Sequence, residues 1–395
     1  MPPAQNGPFD LERDTKHDDN SLISSEVIRP RIVVIGGGIA GVSVAYYLAK
    51  EAEVTLLEGE SALAYHATGR SAALMFENYG APSIRPLSKA SRTFLENPPP
   101  GLTDAPLLSE RGVLTVAPTE KLSMLQTIYE TGRATGVRQE WLDTDEAIAM
   151  CPALEPGHVA GAVWEPDAKD IDVAALHQAF VRGIRKRGGQ ILTRAPVTKV
   201  RHLDRSWILA AGDLELPTDI VVNAAGAWGD TVAEMAGVAP LGIQPRRRSV
   251  FMTPAPESCQ DWPLVFDIDD RWYFKPDGTQ LLCSPADQTL VEPGDARPDE
   301  IAIALAIERI NEATTLGIRT VRSTWAGLRT FAPDGGMAIG FDSHTPSFFW
   351  LVGQGGTGIQ TSPGAGRLAA SLILNGEPPD DIPGLEIANL APTRF

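Results

Sequence analysis

The sequence predicts an α/β fold in which a domain opened by a βαβ unit is interleaved with a second, mixed β-sheet domain. Three observations carry that expectation. First, the apolar run Arg31-Ile-Val-Val-Ile35 passes into Gly36-Gly-Gly-Ile-Ala-Gly41, and a second run, Val54-Thr-Leu-Leu57, ends at Glu58. Second, the texture changes between residues 241 and 330, where short β-like runs appear: Ser249-Val-Phe-Met252, Trp272-Tyr-Phe274 and Gln280-Leu-Leu-Cys283. Third, an apolar strand returns late, at Phe348 to Val352, before the glycine loop Gly353-Gln-Gly-Gly-Thr-Gly-Ile-Gln360. Nucleotide-binding material at both ends, with insertions between, differs from the contiguous nucleotide-binding domain of many NAD dehydrogenases.

The elements follow in order. Residues 31–35 form a strand, 40–50 a helix and 53–58 a second strand, a βαβ unit with a dinucleotide fingerprint of Rossmann type. Gly36 permits the tight turn, Gly38 lets the backbone approach a pyrophosphate, and Gly41 lets the helix lie close to the sheet. Ile39 and Ala40 open the helix, whose free N–H groups and positive dipole end favour phosphates. Glu58, followed by Gly59, is placed to accept bonds from ribose hydroxyls and argues against a 2′-phosphate. The fingerprint alone leaves FAD and NAD open.

Residues 61–80 form a loop rich in small residues, and 82–96 a helix ending before Asn97-Pro-Pro-Pro100. A strand at 111–117 and a helix at 119–135 come next. Asp172 caps a helix running to Lys186. Gln190–Thr193 and Thr198–Leu203 are short strands, and Ile220–Asn223 a buried one. A helix spans about 298–315.

Composition excludes several classes. The 395 residues suit two packed domains with a large core. A formal net charge of −16 opposes binding to nucleic acid or anionic membranes. Cys151, Cys259 and Cys283 lie far apart without a CxxC, and the six histidines lack metal-ligand spacing, so neither a disulfide framework nor a metal site is expected. A reducing cytoplasm is the expected compartment. Residues 1–30 are polar and read as a disordered tail. The uncharged stretch from Ile32 to Ala49 is long enough to raise a membrane span, but its glycines favour strand, turn and helix, so no stable membrane insertion is expected.

Three further segments favour FAD. His66-Ala67-Thr68-Gly69-Arg70-Ser71-Ala72-Ala73 offers small residues and hydroxyls that wrap a pyrophosphate and approach a flat ring. Asn223-Ala-Ala225-Gly226-Ala227 follows a buried strand and gives a second close backbone approach. Gly355, Gly356, Thr357 and Gly358, with Ile359 and Gln360 behind them, open a helix whose N–H groups face an electron-rich ring edge. No cysteine lies near these loops, so no cysteinyl link is expected and the FAD is expected to be non-covalent, with a link through His66 left open.

On these residues the chain resembles the flavoprotein family of D-amino-acid oxidase, sarcosine oxidase and glycine oxidase, and within it bacterial D-arginine dehydrogenase most. The resemblance covers about residues 31–375. Its most specific stretches are Tyr65–Ala73, Asn97-Pro-Pro, Asp170-Ile-Asp172, Val222–Trp228, Gln244–Ser249, Thr324–Arg329 and Gln354–Gln360. It implies a glutathione-reductase-like FAD domain from residues 31–110, 150–240 and 330–380, a mixed-sheet substrate domain from 111–149 and 241–329, and a C-terminal tail from 381. Val197 joins the cofactor residues on the same ground.

The resemblance also implies a reaction. The α-hydrogen of a D-amino acid or related amine leaves as hydride to flavin N5, and the imine is hydrolysed to a keto acid and ammonia. Arg329 takes the substrate carboxylate, for which a planar guanidinium is matched. Arg248 sits near the same carboxylate, Tyr79 and Tyr273 close the pocket, and the backbone of Gly356, Thr357 and Gly358 faces the amine. Two positions depart from D-arginine dehydrogenase: Leu74 replaces an active-site histidine, and Val113 replaces the glutamate that pairs with a guanidinium. A buried cation without that partner is costly, so a neutral or apolar side chain is expected. Glu77 is a candidate base or amine contact. Secondary amines and 2-hydroxy acids suit the same arginine clamp, and a non-catalytic or partner-dependent flavoprotein is the reading of another class. Oxygen and a quinone or carrier both stay open as electron acceptor.

Overall fold

The structure, a computed structural model, describes residues 29–204 and 206–395. The tail expected over residues 1–30 therefore lies outside the described residues, apart from Arg29 and Pro30.

The first sheet has six strands in the order Ala338–Phe341, Phe348–Val352, Ile220–Asn223, Arg31–Ile35, Glu53–Leu57 and Gln190–Leu192. All neighbours pair parallel except the edge strand Ala338–Phe341, which runs antiparallel. Strands buried on both faces read as continuous apolar runs rather than alternations. Phe348–Val352 shows this, since all five residues are buried. Each such large side chain contributes roughly 1.5–3 kcal/mol by leaving water. Helix Ile39–Leu48 covers this sheet and packs against helix Gly358–Asn375. The two helices meet closely because Gly366 has no side chain; a Cβ there would stand 2.7 Å from Ser43.

The second large sheet has eight strands in the order Ser323–Phe331, Gln244–Pro254, Gln280–Ser284, Tyr273–Asp277, Leu264–Asp267, Val113–Ala117, Gly161–Glu165 and Glu140–Leu142. Only the pair Leu264–Asp267 with Val113–Ala117 is parallel. One face packs on helix Glu300–Ala313 through Leu114, Phe251, Val265, Phe274 and Cys283. The other carries Arg248, Val250, Tyr273, Val113 and Glu165. A three-stranded meander, Val197–Leu203, Ser206–Ala211 and Leu214–Thr218, and a small sheet of Leu74–Met75, Lys169–Ile171 and Leu108–Glu110 complete the β-structure.

Two segments fall differently from the sequence expectation. Strand Gly161–Glu165 pairs within the eight-stranded sheet, across the division expected at residue 150. Residues 381–395, expected as a tail, are packed down: Leu390 is fully buried, its carbonyl accepts from Ile339 N at 2.8 Å, and Arg394 pairs with Asp334 at 2.7 Å. The segment thereby covers the exposed edge strand Ala338–Phe341, as sheet edges require.

Candidate active site

A cavity of about 510 Å³ runs from the first glycine turn to the eight-stranded sheet. Its near end is backbone. Gly36 has φ +110°, and a Cβ there would lie 2.4 Å from the Ala224 carbonyl oxygen. Glu58 is fixed by the backbone of its own loops: Gly37 N and Glu60 N each donate to its carboxylate at 2.8 Å. Thr68 Oγ1 accepts from Ile39 N at 3.0 Å, tying the loop of residues 61–73 to the start of the first helix. Arg70 fastens the same loop to strand Ser323–Phe331 through the Ala326 carbonyl at 2.9 Å, and pairs with Asp295 at 2.6 Å. His66 sits at the wall, 2.9 Å from Glu60 and against the Trp228 ring.

Among the residues expected to hold the cofactor, Gly36, Gly38, Ile39, Ala40, Glu58 and Gly59 line this cavity. So do Ala67, Thr68, Arg70, Ser71, Ala72 and Val197, and on the opposite wall Ala225, Gly226, Gly355, Gly356, Gly358 and Ile359. Others stand behind it. Gly41 and Gly69 serve close packing, for a Cβ would come within 1.9 Å of the Gly36 oxygen or 2.4 Å of the Ala64 oxygen. Ala73 accepts from Ile171 N at 3.1 Å. Gln360 is buried and accepts from Phe76 N at 3.1 Å while donating to Ser88 at 3.0 Å. A Gly41→Ala variant is expected to lose bound flavin and about 1–3 kcal/mol of stability, because backbone cannot yield to the methyl; flavin absorbance of the purified protein and its denaturation midpoint check both.

The far end of the cavity carries the charged groups. Arg248 pairs in register with Gly327, and Arg246 with Arg329, so Arg248 and Arg329 project as diagonal neighbours from one face of two adjacent strands. Arg329 Nη1 donates to the Tyr79 hydroxyl at 2.8 Å. Burial works against its charge, yet Tyr79, Tyr273 and Asp270 outweigh burial and move its pKa up. Arg248 is 5% exposed. Its Nε donates to the Asp287 carbonyl at 3.0 Å, while Nη1 and Nη2 are buried without a hydrogen-bond partner. Tyr273 is buried, stacked on Phe266, with the Arg248 guanidinium 6.0 Å from its ring centre. Gly356 lies where a Cβ would meet Tyr79 Oη at 2.9 Å and Arg329 Cζ at 3.1 Å. A second cavity, about 230 Å³, adjoins Arg329 and is lined by Tyr79, Asp270, Gln288, Phe331 and Thr357 among others.

The substrate-side expectations divide. Tyr79, Arg248, Tyr273, Arg329, Gly356, Thr357 and Gly358 converge on the two cavities. Leu74 and Val113 line neither; they pack in an apolar cluster with Tyr273, Val250 and Phe76 behind the cavity wall. Glu77 also turns away, to an ion pair with Arg92. Arg247 pairs with Asp287 at 3.2 Å and takes no part.

These residues fit FAD. Glycines free of side chains, a helix N-terminus and a fixed carboxylate lie in the order that a pyrophosphate and a ribose require. The cavity then continues between the loops of residues 66–72, 224–228 and 354–358 to the arginines. Comparison with known sequences decides the family, since the profile of DAO, FAD dependent oxidoreductase, matches residues 31–372. The chain belongs to the DAO family. Among its relatives, human mitochondrial sarcosine dehydrogenase is 25% identical over 90% of this chain, which spans 41% of that protein. The Bos taurus FAD-dependent oxidoreductase domain-containing protein 1 is 26% identical over 93% of this chain and 84% of its own length. The fold matches glycine oxidase from Geobacillus kaustophilus at TM-score 0.81 with 23% identity, covering 93% of this chain and 99% of that one. Iminodiacetate oxidase from Chelativorans sp. matches at 0.75 with 21% identity, over 92% and 99%. This DAO protein is an FAD-dependent oxidoreductase.

Three residues at the site or packed behind it escaped sequence reasoning. His177 lies on the buried face of helix Val173–Lys186, and its Nε2 is 3.0 Å from the Gly37 carbonyl; burial lowers its pKa, so it stays neutral and donates there. Its apolar neighbours Leu176 and Phe180 were the available signal. Glu165 stands directly opposite Val113 across two strands, 4% exposed, accepting from Gln139 Nε2 at 2.8 Å. Only strand register reveals that proximity. Asp270 sits in the turn before Tyr273, in a run of three acids that reads as a solvated hairpin tip.

Proposed function

We propose that this protein oxidises the carbon–nitrogen bond of an α-amino acid with a neutral or apolar side chain, of D configuration where the α-carbon is chiral. The observation that carries the reading is Arg248: two buried guanidinium nitrogens without partners, beside Arg329, at the end of the cofactor cavity. A buried cation with free donors is costly unless an anion meets it, and a planar carboxylate matches both forks. FAD, when bound, supplies the hydride acceptor.

The chain's own residues do the rest. Arg329 and Arg248 hold the carboxylate. Tyr79 braces Arg329 through its hydroxyl and closes the side of the pocket facing the second cavity. Gly356, lacking a side chain, lets the substrate approach the ring beside Tyr79. Ala72, Val250 and Tyr273, with Leu74, Phe76 and Val113 packed behind them, form an apolar wall of the first cavity that contributes no acid of its own; the acid at this end, Asp270, lines the second cavity beside the two arginines. That wall disfavours a guanidinium or ammonium side chain, and it separates the protein from D-arginine dehydrogenase in substrate even where the sequence stretches agree. Glu165, the acid nearest Val113, is engaged by Gln139 and lines neither cavity.

A secondary amine is the second reading. It is favoured by the names of the relatives, which include sarcosine and dimethylglycine dehydrogenases and iminodiacetate oxidase. The same arginine pair serves it.

An anaerobic flavin-reduction screen tests these readings against neutral, apolar and basic D- and L-amino acids, N-methyl amino acids and 2-hydroxy acids. Rapid bleaching by neutral D-amino acids, with D-arginine slow, is expected. Bleaching by N-methyl amino acids alone moves the substrate to the secondary amines. A flavin that only dithionite reduces assigns a non-catalytic or partner-dependent role.

A further inference from the structure

Three acids crowd the turn between strands Leu264–Asp267 and Tyr273–Asp277. Two of them are paired: Asp267 with Arg271 at 2.8 Å, and Asp269 with Lys121 at 3.1 Å and Arg271 at 3.4 Å. Asp270 is turned the other way, by a left-handed backbone with φ +53°. Its Oδ2 accepts from Gln288 Nε2 at 3.1 Å. Its Oδ1 is buried without a hydrogen-bond partner, 3.9 Å from Arg248 Nη1, which has none either. The residue lines the second cavity together with Tyr79 and Arg329.

The separation matters. At 3.9 Å the two groups attract each other without a hydrogen bond, so Asp270 tempers the charge of Arg248 and leaves its donors available. The guanidiniums lining the two cavities belong to Arg70, Arg248 and Arg329. Arg70 is neutralised by Asp295. Arg248 and Arg329 against Asp270 leave one net positive charge, which one substrate carboxylate cancels. A second carboxylate on the same substrate would meet Asp270 and no further unpaired cation among the residues lining the cavities.

We propose that Asp270 is a specificity-determining residue that makes the site select monocarboxylates and reject dicarboxylates. The inference rests on the arginine clamp proposed above. It deepens that reading by assigning the acid that limits the clamp to a single carboxylate.

The test uses the FAD-bound protein and two probes, propionate and malonate, each titrated anaerobically while the spectrum of the bound flavin is followed. The variants are Asp270→Asn and Asp270→Gly. Both remove the charge and both residues accept a positive φ, so the turn is kept. Wild type is expected to bind propionate, and malonate more weakly. In both variants malonate is expected to tighten at least tenfold and propionate only a few-fold, so that the preference reverses. In turnover, the KM for a dicarboxylate amine such as iminodiacetate should fall relative to the KM for a monocarboxylate amine. A malonate-to-propionate ratio unchanged within twofold in both variants, with propionate still bound, overturns the role of Asp270 and leaves the clamp standing. Binding of neither probe by wild type or variants overturns the clamp itself, and the inference with it.

Discussion

Replacing Arg329 by methionine is expected to lower kcat/KM by a factor of roughly 10²–10³. Truncating one partner of a buried, hydrogen-bonded charge pair costs about 2–5 kcal/mol, because the other charge is left without compensation. Here the orphaned group is the substrate carboxylate, and Tyr79 also loses the donor to its hydroxyl. Methionine has nearly the same length and no charge, so the cavity keeps its shape and retained flavin absorbance serves as the folding control. Arg329→Lys should recover little: an ammonium cannot offer the two parallel N–H bonds of a guanidinium. Steady-state kinetics with the amine that bleaches the flavin fastest measure both variants. Kinetics within a few-fold of wild type for Arg329→Met would remove the carboxylate clamp from the proposed function.

The nucleotide half of the fold was legible because its signals are local. A strand buried on both faces, a glycine turn, a helix and a ribose acid occupy consecutive positions, and the apolar runs 31–35, 53–57, 220–223 and 348–352 all became strands of one sheet. The eight-stranded sheet was less legible. Gln244–Pro254 carries three consecutive arginines, of which only the apolar part from Ser249 reads as strand; the arginines are tolerated because Arg247 reaches Asp287 and Asp299 on one face while Arg248 faces the cavity. Gly161–Glu165 and Ser323–Phe331 have weak patterns of their own and owe their strand state to neighbours far away in sequence. The same limit applies to the site. Residues on glycine loops or in a resemblance could be named from the sequence, and most of them line the two cavities. Asp270 and Glu165 act through what stands opposite them, a relation set by turn geometry and register rather than by adjacency in the chain.

Glu165 gives a pH dependence that can be worked through. Burial is the main cause that pushes its pKa from the ordinary 4.5 up to about 7; the hydrogen bond from Gln139 opposes the rise, nearby Glu77 adds to it, and Arg85 counters it. A carboxyl raised in the folded state prefers to be protonated there, so its contribution to stability is fully present below the unfolded pKa, near 4.5, and is lost as pH climbs through about 7. The difference between those two values corresponds to roughly 3 kcal/mol of lost stability on the alkaline side. Glu165→Gln removes the ionisation and keeps an acceptor for Gln139 Nε2, whose amide oxygen is itself buried without a donor and can take one from the new side chain. Denaturant unfolding should therefore show the variant and wild type alike at pH 4.5 and the variant more stable by up to about 3 kcal/mol at pH 8; two parallel stability curves between those values would sink the assignment.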